Sequence, residues 1–120
     1  MQVNLHNDKG NQFTSYSATS VTINQTEYNN NLLISPTLIQ PIKLQTISEL
    51  DDQFLAEILT LQPDLIIFGT GTSIQFPNNK ILNELQKKRI GFEVMPIPAL
   101  CRTFNYLIGE GRMVIGILIF

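Results

Sequence analysis

What most constrains this chain is a feature of its second half, where apolar runs stop abruptly at glycine-rich or proline-rich turns. Leu65-Ile66-Ile67-Phe68 runs into Gly69-Thr70-Gly71-Thr72, and Gly91-Phe92-Glu93-Val94-Met95 runs into Pro96-Ile97-Pro98. A third run, Met113 to Phe120, closes the sequence. Short apolar runs between breakers are the mark of buried parallel strands, and the carboxyl ends of such strands are where α/β domains place ligands.

The segments between the runs carry the helical period. Ser48-Glu49-Leu50-Asp51 predicts a helix to about Thr60, with Ser48 capping its first amides and acidic residues at its positive end. Leu50, Phe54, Leu55, Ile58 and Leu61 form its inward side, and Pro63 ends it. A second helix is expected from about Asn79 to Lys88, with Ile81, Leu82 and Leu85 inward and Gly91 as its stop. A third opens at Pro98, whose missing amide hydrogen is not needed in a first turn. It sets Leu100, Phe104, Leu107 and Ile108 on one face and Arg102 and Gly109 on the other.

Ahead of these, residues from Phe13 to Leu44 alternate β-branched or aromatic with polar side chains, broken at Asn24-Gln25 and Asn29-Asn30-Asn31. Two or three antiparallel strands with asparagine-rich turns are expected, the third made an edge or an irregular crossing segment by Pro36 and Pro41. Residues 1 to about 12 read as a loose terminus and 13–120 as a single domain. Right-handed crossovers then give a three-layer α/β sandwich: a mixed β-sheet with helices on both faces and an antiparallel N-terminal portion.

Charge and rare residues narrow the function. A net charge of -2 argues against a nonspecific nucleic-acid partner, which needs clustered cations to neutralise phosphates. The cluster Lys87-Lys88-Arg89 ends a predicted helix, where cations offset the dipole. Cys101 is the only cysteine, so no internal disulfide or thiolate zinc site is available, and a reducing compartment fits. His6, the only histidine, lies in the polar start and reads as a surface residue. No signal or transit peptide is visible, no metal or cofactor loop is recognisable, and the last apolar run is far shorter than the roughly 20 residues of a spanning helix.

Three constellations remain. The loop Gly69, Thr70, Gly71, Thr72 and Ser73 has glycines that let amides turn toward an anion and hydroxyls that add donors, or it is a tight turn needing positive φ. It matches no phosphate-loop or dinucleotide pattern. Glu93 stands inside an expected buried strand, where a lone carboxylate is costly, so it needs a cation, Arg102 or Arg112, in a structural ion pair, or a place at the strand's exposed end. Cys101, Arg102, Thr103 and Asn105 open the third helix, where free amides and Arg102 favour an anion. Cys101 there is either a nucleophile of lowered pKa or, one position from the apolar face, an inert and partly buried thiol.

The same residues carry a resemblance. Gly69-Thr70-Gly71, Phe76-Pro77, Gly91 with Glu93-Val94-Met95, Cys101-Arg102-Thr103 with Asn105 and Leu107, and Glu110-Gly111-Arg112 resemble the small family of domains of unknown function that includes respiratory complex I assembly factor 3. The match is strong over residues 65 to 120 and one of layout only over 16 to 60. It implies a three-layer α/β domain without established enzymatic activity, whose eukaryotic member acts by protein contact in building complex I. Pro96-Ile97-Pro98 departs from the polar, alanine-containing turn of relatives. The expectation is a cytoplasmic prokaryotic relative, or one peripheral to the inner membrane, that binds a protein partner of a membrane-associated complex. The rival expectation is a small anion-binding enzyme with the Gly69 to Ser73 loop as cradle, Arg102 as clamp and Glu93 or Cys101 as reacting group.

Overall fold

Short strands dominate the first third of the residues that the computed structural model describes, 10–71 and 73–120. β1 (Phe13–Tyr16), β2 (Val21–Ile23) and β3 (Thr26–Tyr28) make an antiparallel sheet in that order. Asn24 and Gln25 turn the second hairpin with φ of 50° and 80°, so that Ile23 lies opposite Thr26. Positive φ at both positions matches the right-handed twist of the flanking strands.

The main sheet has five strands: β4 (Leu32–Ile34), β5 (Ile39–Pro41), β6 (Leu65–Thr70), β7 (Gly91–Met95) and β8 (Val114–Ile119), ordered β5-β4-β8-β6-β7. β6 is parallel to β7 and β8, while β4 is antiparallel to β5 and β8. The N-terminal portion thus supplies five short strands rather than two or three, divided between two sheets. β5, which ends in Pro41, is an edge, one of the two placements that Pro36 and Pro41 predict.

α1 (Asp52–Leu59) follows a 3₁₀ turn, Ile47–Glu49. The expected cap, Ser48, lies within that turn with its Oγ 3.0 Å from Thr46 Oγ1, and Asp51 caps α1 instead, accepting from Phe54 N at 2.9 Å. The reason is Leu50, whose buried side chain sits on extended backbone and breaks the helical path between turn and helix. α2 (Asn79–Lys87) is capped by Asn78, whose Oδ1 accepts from Ile81 N. α3 (Ile97–Gly109) carries Pro98 in its first turn, as expected.

Each face of the sheet has its own core. On one side Ile67, Val114 and Leu118 meet Ile97, Leu100, Phe104 and Ile108 of α3, together with Phe13, Val21 and Ile23 of the small sheet. On the other, Ile66, Phe68, Ile115 and Ile117 meet Leu55 and Ile58 of α1 and Ile81 and Leu85 of α2. The chain is therefore a three-layer α/β sandwich. Each fully buried aliphatic or aromatic side chain contributes about 1.5–3 kcal/mol relative to exposure.

Two boundaries shift. Asn11, assigned to the loose terminus from sequence, is buried: its backbone N donates to Pro36 O at 2.7 Å and its Nδ2 to Ser35 O at 2.8 Å. β7, expected to be a buried strand, is the second edge of the main sheet, because β8 inserts between β4 and β6. Both faces of β8 are buried; those of β7 are only partly so.

Candidate functional site

β6 ends where α3 begins, and this junction gathers part of the candidate site. Gly69 lies under Leu100: a Cβ there would stand 2.7 Å from Leu100 Cδ1 and 3.3 Å from Leu100 Cβ, so the glycine lets helix and strand approach. Thr70 is 4% exposed, and its Oγ1 donates to Ser73 O at 2.6 Å while accepting from Gln75 N at 3.1 Å. Gly71 has φ of 32°; its N donates to Ile119 O at 3.0 Å and its O accepts from Ile97 N at 3.2 Å. The hydroxyl and the Gly71 amide proposed to cradle an anion are thus engaged in closing the loop onto β8 and onto the start of α3. Thr72, like His6, lies outside the described residues.

A polar cleft of about 290 Å³ borders the loop, lined by Thr70, Gly71, Ser73, Gln75, Gln45, Thr46, Ile119 and Phe120. Arg102, Cys101 and Glu93 do not line it.

Glu93 is corrected most. It sits on the edge strand β7, exposed, and among the described residues the ion pairs within 4.0 Å are Lys80–Asp52 and Lys87–Glu84, neither of which includes Glu93, Arg102 or Arg112. The argument for a buried pair fails because strand position, unlike strand identity, is not local. Arg102 is exposed on α3, and Thr103 is half-buried beside it.

Cys101 is fully buried among the α3 core residues. Burial pushes its thiol up to about 12 against the opposing charge of Arg102, the reverse of the lowered pKa that a nucleophile there would need. Asn105 is a clamp between sheet and helix: Phe13 N donates to its Oδ1 at 2.9 Å and its Nδ2 donates to Phe13 O at 2.8 Å. Beside it Phe13 and Phe104 pack edge to face, centroids 5.4 Å apart at 82°. Glu110-Gly111-Arg112 is a helix stop: Gly111, at φ of 78°, donates to Ile108 O at 2.9 Å and Arg112 N to Leu107 O at 3.1 Å.

Exposed apolar side chains were not among the candidate site residues. Ile74 and Phe76, on the loop between β6 and α2, are 51% and 62% exposed, and Tyr106, one turn beyond Arg102 on α3, is 68% exposed. The signal was present in Ile74-Gln75-Phe76-Pro77, an apolar pair inside a segment with no helical or strand period. A larger groove of about 730 Å³ lies between α1 and α2, floored by Leu55, Ala56 and Leu59 and bridged by Lys80 Nζ to Asp52 Oδ2 at 2.8 Å. Its lining includes Lys87 and Lys88 of the basic cluster but none of the candidate site residues.

Comparison with known proteins gives one family. A model described as "Protein of unknown function (DUF498/DUF598)" matches residues 13–119. The chain is 31% identical over 99 residues to the "13 kDa major membrane protein" of Francisella tularensis subsp. holarctica, covering 81% of this chain and 80% of that one. It is 29% identical over 107 residues to "NADH dehydrogenase (ubiquinone) 1 alpha subcomplex assembly factor 3" of Danio rerio, covering 88% of this chain and 62% of the factor. This chain thus spans less than two thirds of that factor's length. An NMR structure of a Xanthomonas campestris protein superposes with a TM-score of 0.83 at 25% identity, over 91% of this chain and 83% of that one. No helix among the described residues is long and apolar enough to cross a membrane.

Proposed function

The chain belongs to the DUF498/DUF598 family of proteins of unknown function, and from that membership we propose that it is a non-enzymatic protein-interaction module that assists assembly of a membrane-associated complex. The observation that carries the reading is the likeness to the Danio rerio assembly factor, which runs through 88% of this chain. The family's motifs support it by what they do here. Gly69 and Leu100 fit helix to strand, Glu110-Gly111-Arg112 stops α3, and Asn105 holds the small sheet to α3. Residues that recur as a pattern because they build a scaffold leave function to the surface that scaffold displays.

Exposed apolar side chains at Ile74, Phe76 and Tyr106 suit protein contact, since aromatic anchors dominate interface energies. Arg102 lies one helical turn from Tyr106 and adds a charged group beside it on α3. The anion-binding enzyme finds less support: its nucleophile is buried, its carboxylate stands apart on an edge strand, and its loop hydroxyl is engaged.

Affinity capture of the full chain from its native cell, followed by mass spectrometry, tests the reading. Subunits of a membrane-associated complex are expected, lost on Tyr106→Asp or Phe76→Asp with folding intact. Reproducible turnover in hydrolase, phosphatase or oxidoreductase screens, abolished by Cys101→Ser, would overturn it.

A further inference from the structure

Sheet edges offer unpaired backbone donors and acceptors, and proteins ordinarily blunt them with proline, charge or a covering element. The main sheet has two edges, and they are treated differently. At β5, Ile42 N donates to Asn31 O across the ladder, which turns the position of Pro41 outward, so the donor that proline lacks is missing from the open side. β7 has five residues, no proline, and a ladder to β6 on one side only.

The side chains along that open edge form a pattern. Phe92 and Val94 are half-buried toward α1 and α2, extending the apolar core there to the edge. Glu93 projects to the other face, exposed and without an ion-pair partner among the described residues. A second copy is a poor occupant. Antiparallel self-pairing of all five residues about a twofold axis sets Glu93 directly against Glu93, and like charges so placed are destabilising.

We propose that the free edge of β7 is a docking strand for an extended segment of a partner protein whose side chains run apolar, basic, apolar. Opposed residues of paired strands share a face, so the basic side chain meets Glu93 while its apolar neighbours continue the surface of Phe92 and Val94. The carboxylate thereby acts twice, repelling the chain's own edge and selecting a partner of opposite charge. This deepens the interaction-module reading and rests on it, but is tested separately from partner capture.

The test uses the full chain, labelled with nitrogen-15, titrated with capped peptides of sequence Thr-Val-Lys-Ile-Thr and Thr-Val-Glu-Ile-Thr. Amide shifts confined to Gly91 through Met95 and their ladder partners are expected, with the lysine peptide binding about fivefold more tightly. In Glu93→Lys the preference should invert. Absence of binding at millimolar peptide, equal affinity for both peptides, shifts centred elsewhere, or a dimer of the unmodified chain with its shifts on β7 would each overturn the proposal. None of these results bears on capture through Phe76 or Tyr106, so failure here and failure of the interaction reading are distinguishable.

Discussion

At Asn105 a side-chain amide stands where a neighbouring strand's peptide group would, accepting from Phe13 N and donating to Phe13 O. Asn31 does the same between Leu44 O and Phe120 N, and Asn11 between Ser35 O, Leu38 O and the Asn24 amide. Replacing Asn105 with alanine strands both backbone groups of Phe13, and a loss of about 1–3 kcal/mol is expected, read as a lower urea midpoint at unchanged slope. From sequence Asn31 reads as a turn residue, Asn11 as part of a loose terminus and Asn105 as a candidate site residue, because their partners lie as far as 92 positions away and no local period records them. Cys101 was legible in outline, since its place beside the apolar face already favoured a buried thiol. Its pH dependence follows with a definite sign. The native thiol stays protonated up to about 12, whereas the unfolded thiol loses its proton near 8.5. The unfolded chain therefore binds fewer protons between those values, so this group's stabilisation is complete below the unfolded pKa and is lost as pH rises through the window. Comparing unmodified chain and Cys101→Ala across alkaline pH should show the extra decline, at most about 1.4 kcal/mol per pH unit, only with the thiol present. Parallel curves would place the titrating thiol at the surface.

At the scale of elements, the helices and the strands β6, β7 and β8 were legible because each pairs one period with one stop: Pro63, Gly91, Pro98 or Gly111. The cap of α1 was misread, since Ser48 and Asp51 are both good caps and only the burial of Leu50 decides between them. Glu93 was misread for a different reason. The apolar run identifies a strand, but the last strand's insertion beside β6 moves β7 to the edge, and that order is a property of the whole sheet. The Gly-Thr-Gly turn divides in the same way: Gly71 does have positive φ, while Gly69 answers to packing. Gly69→Ala should accordingly destabilise by about 1–3 kcal/mol through overpacking against Leu100. A double-mutant cycle locates the cause. With Leu100 shortened to alanine, the added methyl should cost markedly less, and strict additivity of the two changes would rule out the proposed contact.

The molecule as a whole is one sheet with two unlike coverings. The α1 and α2 side reaches the sheet directly through helices adjacent in sequence to their strands, and its layers were predictable from the alternation of helix and strand. The α3 side carries a second sheet riding on that helix and fastened by Phe13, Asn105 and the edge-to-face pair of Phe13 with Phe104. That arrangement is not written in any period, because a small antiparallel sheet packs by its hydrophobic face wherever a complementary one is offered. It has a consequence for how the fold opens. The small sheet buries Phe13, Val21 and Ile23 but leaves most of β1 and β3 exposed, whereas β6 and β8 are buried on both faces, so the small sheet is expected to open at lower free energy than the central strands. Native-state hydrogen exchange on Asn105→Ala separates the two. Amides of β2 should open at a lower free energy than those of Ile66 and Ile117, and the change should speed β2 exchange by roughly 30-fold for about 2 kcal/mol lost. Equal opening free energies at Ile66, Ile117 and Val21 would mean that the small sheet and the central strands open together, and that Asn105 holds the entire fold rather than one layer of it.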